Sequence, residues 1–115
     1  MIEDWQELMN NMDGGVKALR EGAPEVMKSF SGMAKAAKGG SALDLKTKEL
    51  IALALGVGAR CAPCIAYHAE AAAKLGASRE EVLETMAMSI YMAAGPSVMY
   101  AAQALEAFDQ LTQKG

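Results

Sequence analysis

Apolar side chains recur at three- and four-residue steps through most of this chain. Ile2, Trp5, Leu8, Met9, Met12, Val16 and Leu19 make one stripe. That period predicts an amphipathic first helix, an N-terminal arm over residues 1–22 with a potential break at Gly14-Gly15. Pro24-Glu25 suits the opening of a second helix, whose inner face would be Val26, Met27, Phe30, Met33, Ala34 and Ala37 before Gly39-Gly40 ends it. Asp44 reads as the N-cap of a third helix reaching about Ala59, apolar around its whole circumference from Leu50 to Leu55. Such a helix expects burial on more than one side. A fourth helix opens at Cys61-Ala62-Pro63-Cys64 and closes at Leu75-Gly76. Ser78 and Glu81 form a capping box for a fifth, with Val82, Leu83, Met86, Ile90 and Tyr91 expected inward. Gly95-Pro96 ends that helix, and a sixth from about Pro96 to Gln113 would bury Val98, Met99, Leu105, Phe108 and Leu111.

Composition agrees with an all-α fold. Alanine occupies 23 of the 115 positions, whereas Val, Ile and Thr together occupy 12, and scarce β-branched side chains disfavour strands. The length suits one domain, residues 1–115, with a central antiparallel helix hairpin carrying the cysteine motif. From Thr85 to Leu105 the chain carries no charge, a length that would in principle span a bilayer. The central Gly95-Pro96-Ser97 reads instead as a turn between two buried helices. A formal net charge of −3 and scattered basic residues argue against nucleic acid or an anionic membrane as partner. Glu3 and Asp4 stand where an export signal would be positive, so a cytoplasmic location is expected. The nine methionines read as adaptable core filler, and Tyr67, Tyr91 and Tyr100 as interface or pocket-lining residues.

Both cysteines and the one histidine fall within eight residues, as Cys61-x-x-Cys64-x-x-x-His68. If the fourth helix starts near Ala62, Cys64 and His68 project from one face a turn apart, so the imidazole can take a proton from the thiol. The first turn of a helix also favours thiolate, and Arg60 is adjacent in sequence. Two sulfurs at this spacing can close a disulfide, so oxidation of one can be resolved by the other. In a hairpin centred near residue 60, Glu49 lies about 17 Å back along one helix and His68 about 11 Å along the other. The mismatch of about 6 Å is within reach of the two side chains, and Glu49 would then orient and charge-stabilise His68. On the residues alone three readings stand: a redox pair, two inert small hydrophobes, and part of a zinc site. Zinc would take Cys61, Cys64, His68 and Glu49, but no second Cys or His pair follows at the usual spacing. No metal and no cofactor are expected.

Glu49, eleven intervening residues, and then Cys61-Ala62-Pro63-Cys64-Ile65-Ala66-Tyr67-His68 resemble the signature of the carboxymuconolactone decarboxylase superfamily, in its alkylhydroperoxidase D-like branch. Leu45-Lys46-Thr47-Lys48-Glu49-Leu50-Ile51-Ala52-Leu53-Ala54 is also similar to that pattern. The resemblance implies a helical domain assembled as trimers or hexamers, and reduction of peroxides or disulfides by the cysteine pair. It implies that Cys64 attacks peroxide and becomes a sulfenic acid, that Cys61 resolves it, and that Glu49 and His68 form the proton relay. That branch's peroxidases carry a second histidine immediately before the second cysteine, where this chain has Pro63.

The expectation is therefore a thiol-dependent antioxidant oxidoreductase. Its substrates would be a small-molecule peroxide or disulfide and a dithiol or protein reductant. The alternatives are a non-catalytic oligomeric redox sensor or scaffold, and a lyase of the carboxymuconolactone decarboxylase type. Independently of the resemblance, the apolar third helix and the uncharged stretch offer more apolar surface than 12.1 kDa can hide, which predicts a homo-oligomer.

Overall fold

The structure, a computed structural model, describes residues 4–113. Six helices follow one another: α1 (Trp5–Gly22), α2 (Pro24–Lys38), α3 (Leu45–Gly58), α4 (Ala62–Lys74), α5 (Arg79–Ala93) and α6 (Gly95–Gln113). No strand occurs among the described residues.

Local chemistry sets the helix ends. The carboxylates of Asp4 and Asp44 accept the amides of Glu7 and Thr47 at 3.0 and 2.8 Å. Ser78 and Glu81 exchange the reciprocal bonds of a capping box at 3.0 and 2.8 Å. Both helices flanking the cysteine motif close with the paired bonds of a Schellman cap. At the end of α4 the left-handed residue is Gly76, with Ala77 N donating to Ala72 O and Gly76 N to Ala73 O. At the end of α3 it is Arg60, at φ +58°, with Cys61 N donating to Gly56 O and Arg60 N to Val57 O. The chain thus turns from α3 into α4 through a residue with a Cβ where glycine is the usual choice.

The core lies where α4 is enclosed by α1, α3 and α6. Leu53 and Val57 from α3, Ile65, Ala66 and Ala69 from α4, Val82 and Met86 from α5, and Ala104, Ala107 and Phe108 from α6 fill it, with Trp5 and Met9 added by α1. Alanines on the facing sides of α4 and α6 let the two backbones approach closely. Trp5 is fully buried. Its indole N–H donates to Glu106 at 2.9 Å and its backbone N–H to Gln110 at 3.1 Å, so the start of α1 is bound to α6.

Several expected faces turn out differently. Gly14-Gly15 does not interrupt α1: two glycines lower helix propensity by about 1 kcal/mol each, but unlike proline they do not block the helical bonds. Ile2, assigned to the same stripe, lies outside the described residues. No residue of α2 is buried, and Val26, Phe30 and Met33 face outward, because within one chain α2 packs chiefly on α1. Leu83, Ile90 and Tyr91 of α5 and Val98 and Met99 of α6 are exposed too, as are Ile51 and Leu55 of α3. Their periodicity is helical as read, but it cannot say whether the covering surface belongs to the same chain. The uncharged stretch is split at Ala94, itself at φ +63°, and no helix is long and apolar enough to cross a membrane.

Candidate functional site

Cys61 is the N-cap of α4, and its sulfur accepts the amide of Cys64 at 3.2 Å. The two cysteines form a disulfide, with their Cα atoms 5.2 Å apart. Pro63 occupies the first turn, where its missing N–H costs nothing, so the sulfurs sit among free amides at the positive end of the helix. On reduction, those amides favour thiolate over thiol. Both cysteines are half-buried, open enough for a small reactant.

His68 stands one turn beyond Cys64 on α4. Its Nδ1 meets Glu49 Oε2 at 2.6 Å. The antiparallel course of α3 and α4 brings this about: Gly56 lies beside Cys64 near the turn, and Glu49 lies opposite His68 two turns further back. The two side chains meet directly. Glu49 is 5% exposed, so its carboxylate is buried, where a charge is expensive without partners. The other carboxylate oxygen, Oε1, has Lys38 Nζ at 3.8 Å.

Because Nδ1 is occupied by the carboxylate, the remaining ring nitrogen, Nε2, is the one left to exchange a proton with a reactant or thiol. The site thus combines a dithiol at a helix start, an imidazole a turn away and a buried acid behind it. Chemically, such an arrangement can serve as a nucleophile, a base and an orienter. Among the described residues, no group of three or more His, Cys, Asp or Glu side chains is placed to hold a metal ion while the two sulfurs are joined.

Two further contacts support the site and left no spacing signal in the sequence. Lys38, from α2, is one. The other is Tyr67, next to His68, whose hydroxyl donates to Met9 O at 3.1 Å and contacts the Asp13 carboxylate, tying α4 to α1. Burial, and then the Asp13 carboxylate, push the Tyr67 hydroxyl up to about 12, so it stays a donor at physiological pH. Further off, Lys46 pairs with Glu81 at 2.9 Å, which raises the pKa of the lysine, while the Ser78 amide and then Lys46 lower that of the glutamate. Arg60 is exposed.

Comparison with known proteins places this geometry in a family. The model of the carboxymuconolactone decarboxylase family matches residues 24–107. A crystal structure of an apo carboxymuconolactone decarboxylase family protein from Legionella pneumophila superposes with a TM-score of 0.90 at 46% identity, covering 94% of this chain and 96% of that one. An uncharacterized protein of Cupriavidus necator is 37% identical over 111 residues, 96% of this chain and 98% of its own. Another, from Haemophilus influenzae, is 40% identical over 108 residues, 94% of this chain and 96% of its own. With its six helices and its Cys61–Cys64 pair of the kind found in the alkylhydroperoxidase D-like branch, this chain belongs to the carboxymuconolactone decarboxylase family.

Proposed function

We propose that the protein is a thiol-dependent oxidoreductase that reduces hydroperoxides or an acceptor disulfide. The observation that carries this reading is the 2.6 Å contact between buried Glu49 and His68, one helical turn from the Cys64 end of a disulfide. An acid held this way keeps the imidazole oriented and stabilises it when it takes up a proton.

In the reduced protein, His68 takes the proton of Cys64, and the thiolate attacks the terminal peroxide oxygen. The O–O bond breaks, an S–O bond forms, and the departing alkoxide takes the proton from His68 to leave as an alcohol. Cys64 is now a sulfenic acid. The thiol of Cys61 attacks its sulfur, the S–O bond breaks, and water leaves with the Cys61 proton as the disulfide closes. An external dithiol then reduces the disulfide and is itself oxidised. With an acceptor disulfide in place of peroxide, Cys64 forms a mixed disulfide that Cys61 resolves, releasing a dithiol.

The reading extends to a cytoplasmic homo-oligomer, a trimer or hexamer. The outward apolar side chains of α2, α5 and α6 support assembly, since a monomer would leave them in water. Cys64→Ser tests the chemistry: hydroperoxide turnover with a dithiol donor should vanish while helicity and assembly persist. Full activity in that variant overturns the mechanism. A protein whose thiols oxidise reversibly without turning over any peroxide or disulfide would instead be a redox sensor.

A further inference from the structure

Glu49 has two carboxylate oxygens, and they are divided between two helices. Oε2 faces His68 on α4, and Oε1 faces the ammonium of Lys38 at the last residue of α2. From this division we infer that Lys38 is a positioning residue of the proton relay, its ammonium holding the buried carboxylate turned toward His68. The inference rests on the oxidoreductase reading and deepens it.

The end of α2 is itself anchored for this task. Lys48 of α3 donates to Ala37 O at 3.3 Å and contacts Gly39 O, so the last carbonyls of α2 are fastened beside the helix that carries Glu49. No side chain of α2 reaches the core, so these polar links and the packing on α1 place Lys38. Several other charged side chains have partners of their own, Lys46 with Glu81, Asp13 with Tyr67, Glu70 with Lys74, and Arg79 with Asp109, while Arg60 is exposed at the turn before Cys61. Lys38 is the basic side chain that lies within ion-pair distance of Glu49 besides His68. Removing it takes a positive charge from the edge of the Cys64–His68–Glu49 unit. That unit then binds its protons more tightly, whichever atom holds them.

The test is the pH dependence of Cys64 alkylation by iodoacetamide in the reduced protein, with hydroperoxide turnover measured alongside. In Lys38→Gln the acid limb of both profiles should move to higher pH, with a loss of about fivefold near the foot of the limb, the scale of one half-exposed ion pair. Lys38→Arg should restore the wild-type profile. Lys35→Gln, which removes a charge from the same last turn of α2, should leave it in place. A Lys38→Gln profile that coincides with wild type overturns the inference and leaves the oxidoreductase reading standing. So does a shift equal to that of Lys35→Gln, which would be a general effect of charge at the helix end. A wild-type Cys64 that alkylates with the pH dependence of an ordinary thiol overturns both.

Discussion

Gly56 of α3 packs directly against Cys64 of α4. A Cβ built on Gly56 would lie 3.4 Å from Cys64 Cβ and 3.6 Å from Ile65 N. The lower figure is at the near edge of ordinary packing, so a single methyl group fits, but nothing larger does. Glycine inside a helix costs about 0.5–1 kcal/mol relative to alanine. Gly56→Ala is therefore expected to raise the melting temperature by a few degrees with turnover kept. Gly56→Leu must wedge the helices apart, lowering the melting temperature and moving Cys64 relative to Glu49 and His68. Thermal unfolding and peroxide turnover of the two variants check this together, and a turnover-neutral Gly56→Leu would refute it.

The buried carboxylate should matter through its charge as well as its shape. Glu49→Gln keeps the size of the side chain and an oxygen to accept from His68 Nδ1, but it removes the negative charge that stabilises a protonated imidazole. An acid that orients a general base and stabilises its protonated form contributes about 10²-fold or more. We expect kcat/KM to fall by about 10²-fold while the far-ultraviolet circular dichroism is unchanged. A fall of less than threefold would show that His68 works without its acid.

Much of this fold can be read from local sequence, because helix caps are local chemistry. Asp44, the Ser78–Glu81 box and Gly76 act where spacing alone places them. The facing of Glu49 and His68 is also accessible, since a tight turn at residue 60 fixes the register of two antiparallel helices by counting residues. The outward faces of α2 and α5 are not legible, because a helical period identifies an apolar stripe but not what covers it. Lys38 escapes for another reason: it reaches Glu49 from a helix whose direction depends on the path through 39–44, and no period runs across that loop. Arg60 escapes because arginine gives no sign of a left-handed backbone.

Tyr67 should make stability depend on alkaline pH. Its hydroxyl is raised to about 12 in the folded protein, above the ordinary value near 10, by burial and by Asp13. A group raised in this way contributes its full stabilisation below the unfolded value, and loses it as pH rises through the folded one. Wild type should therefore melt above Tyr67→Phe at pH 8, by about 1 kcal/mol for the lost hydrogen bonds to Met9 O and Asp13. The gap should close between pH 10 and 12. Melting curves of both proteins across that range are the check, and a gap that stays constant would mean the hydroxyl is not held by these partners.

Arg60 lies between α3 and Cys61 in the left-handed region, at φ +58°. An L-residue pays about 1 kcal/mol or more there, while glycine does not, although glycine also loses more entropy on folding. The net expectation is that Arg60→Gly stabilises the protein by up to ~1 kcal/mol, and Arg60→Asn by less, since asparagine tolerates this conformation partially. The guanidinium is exposed, and charge effects from such a position are screened by salt. Turnover in both variants at 0.15 M salt should then remain within about twofold of wild type. A rise in melting temperature accompanied by a tenfold loss of peroxide reduction would show instead that the cation beside Cys61 acts on the dithiol directly, and that the strained turn is retained because arginine's charge is needed at that place.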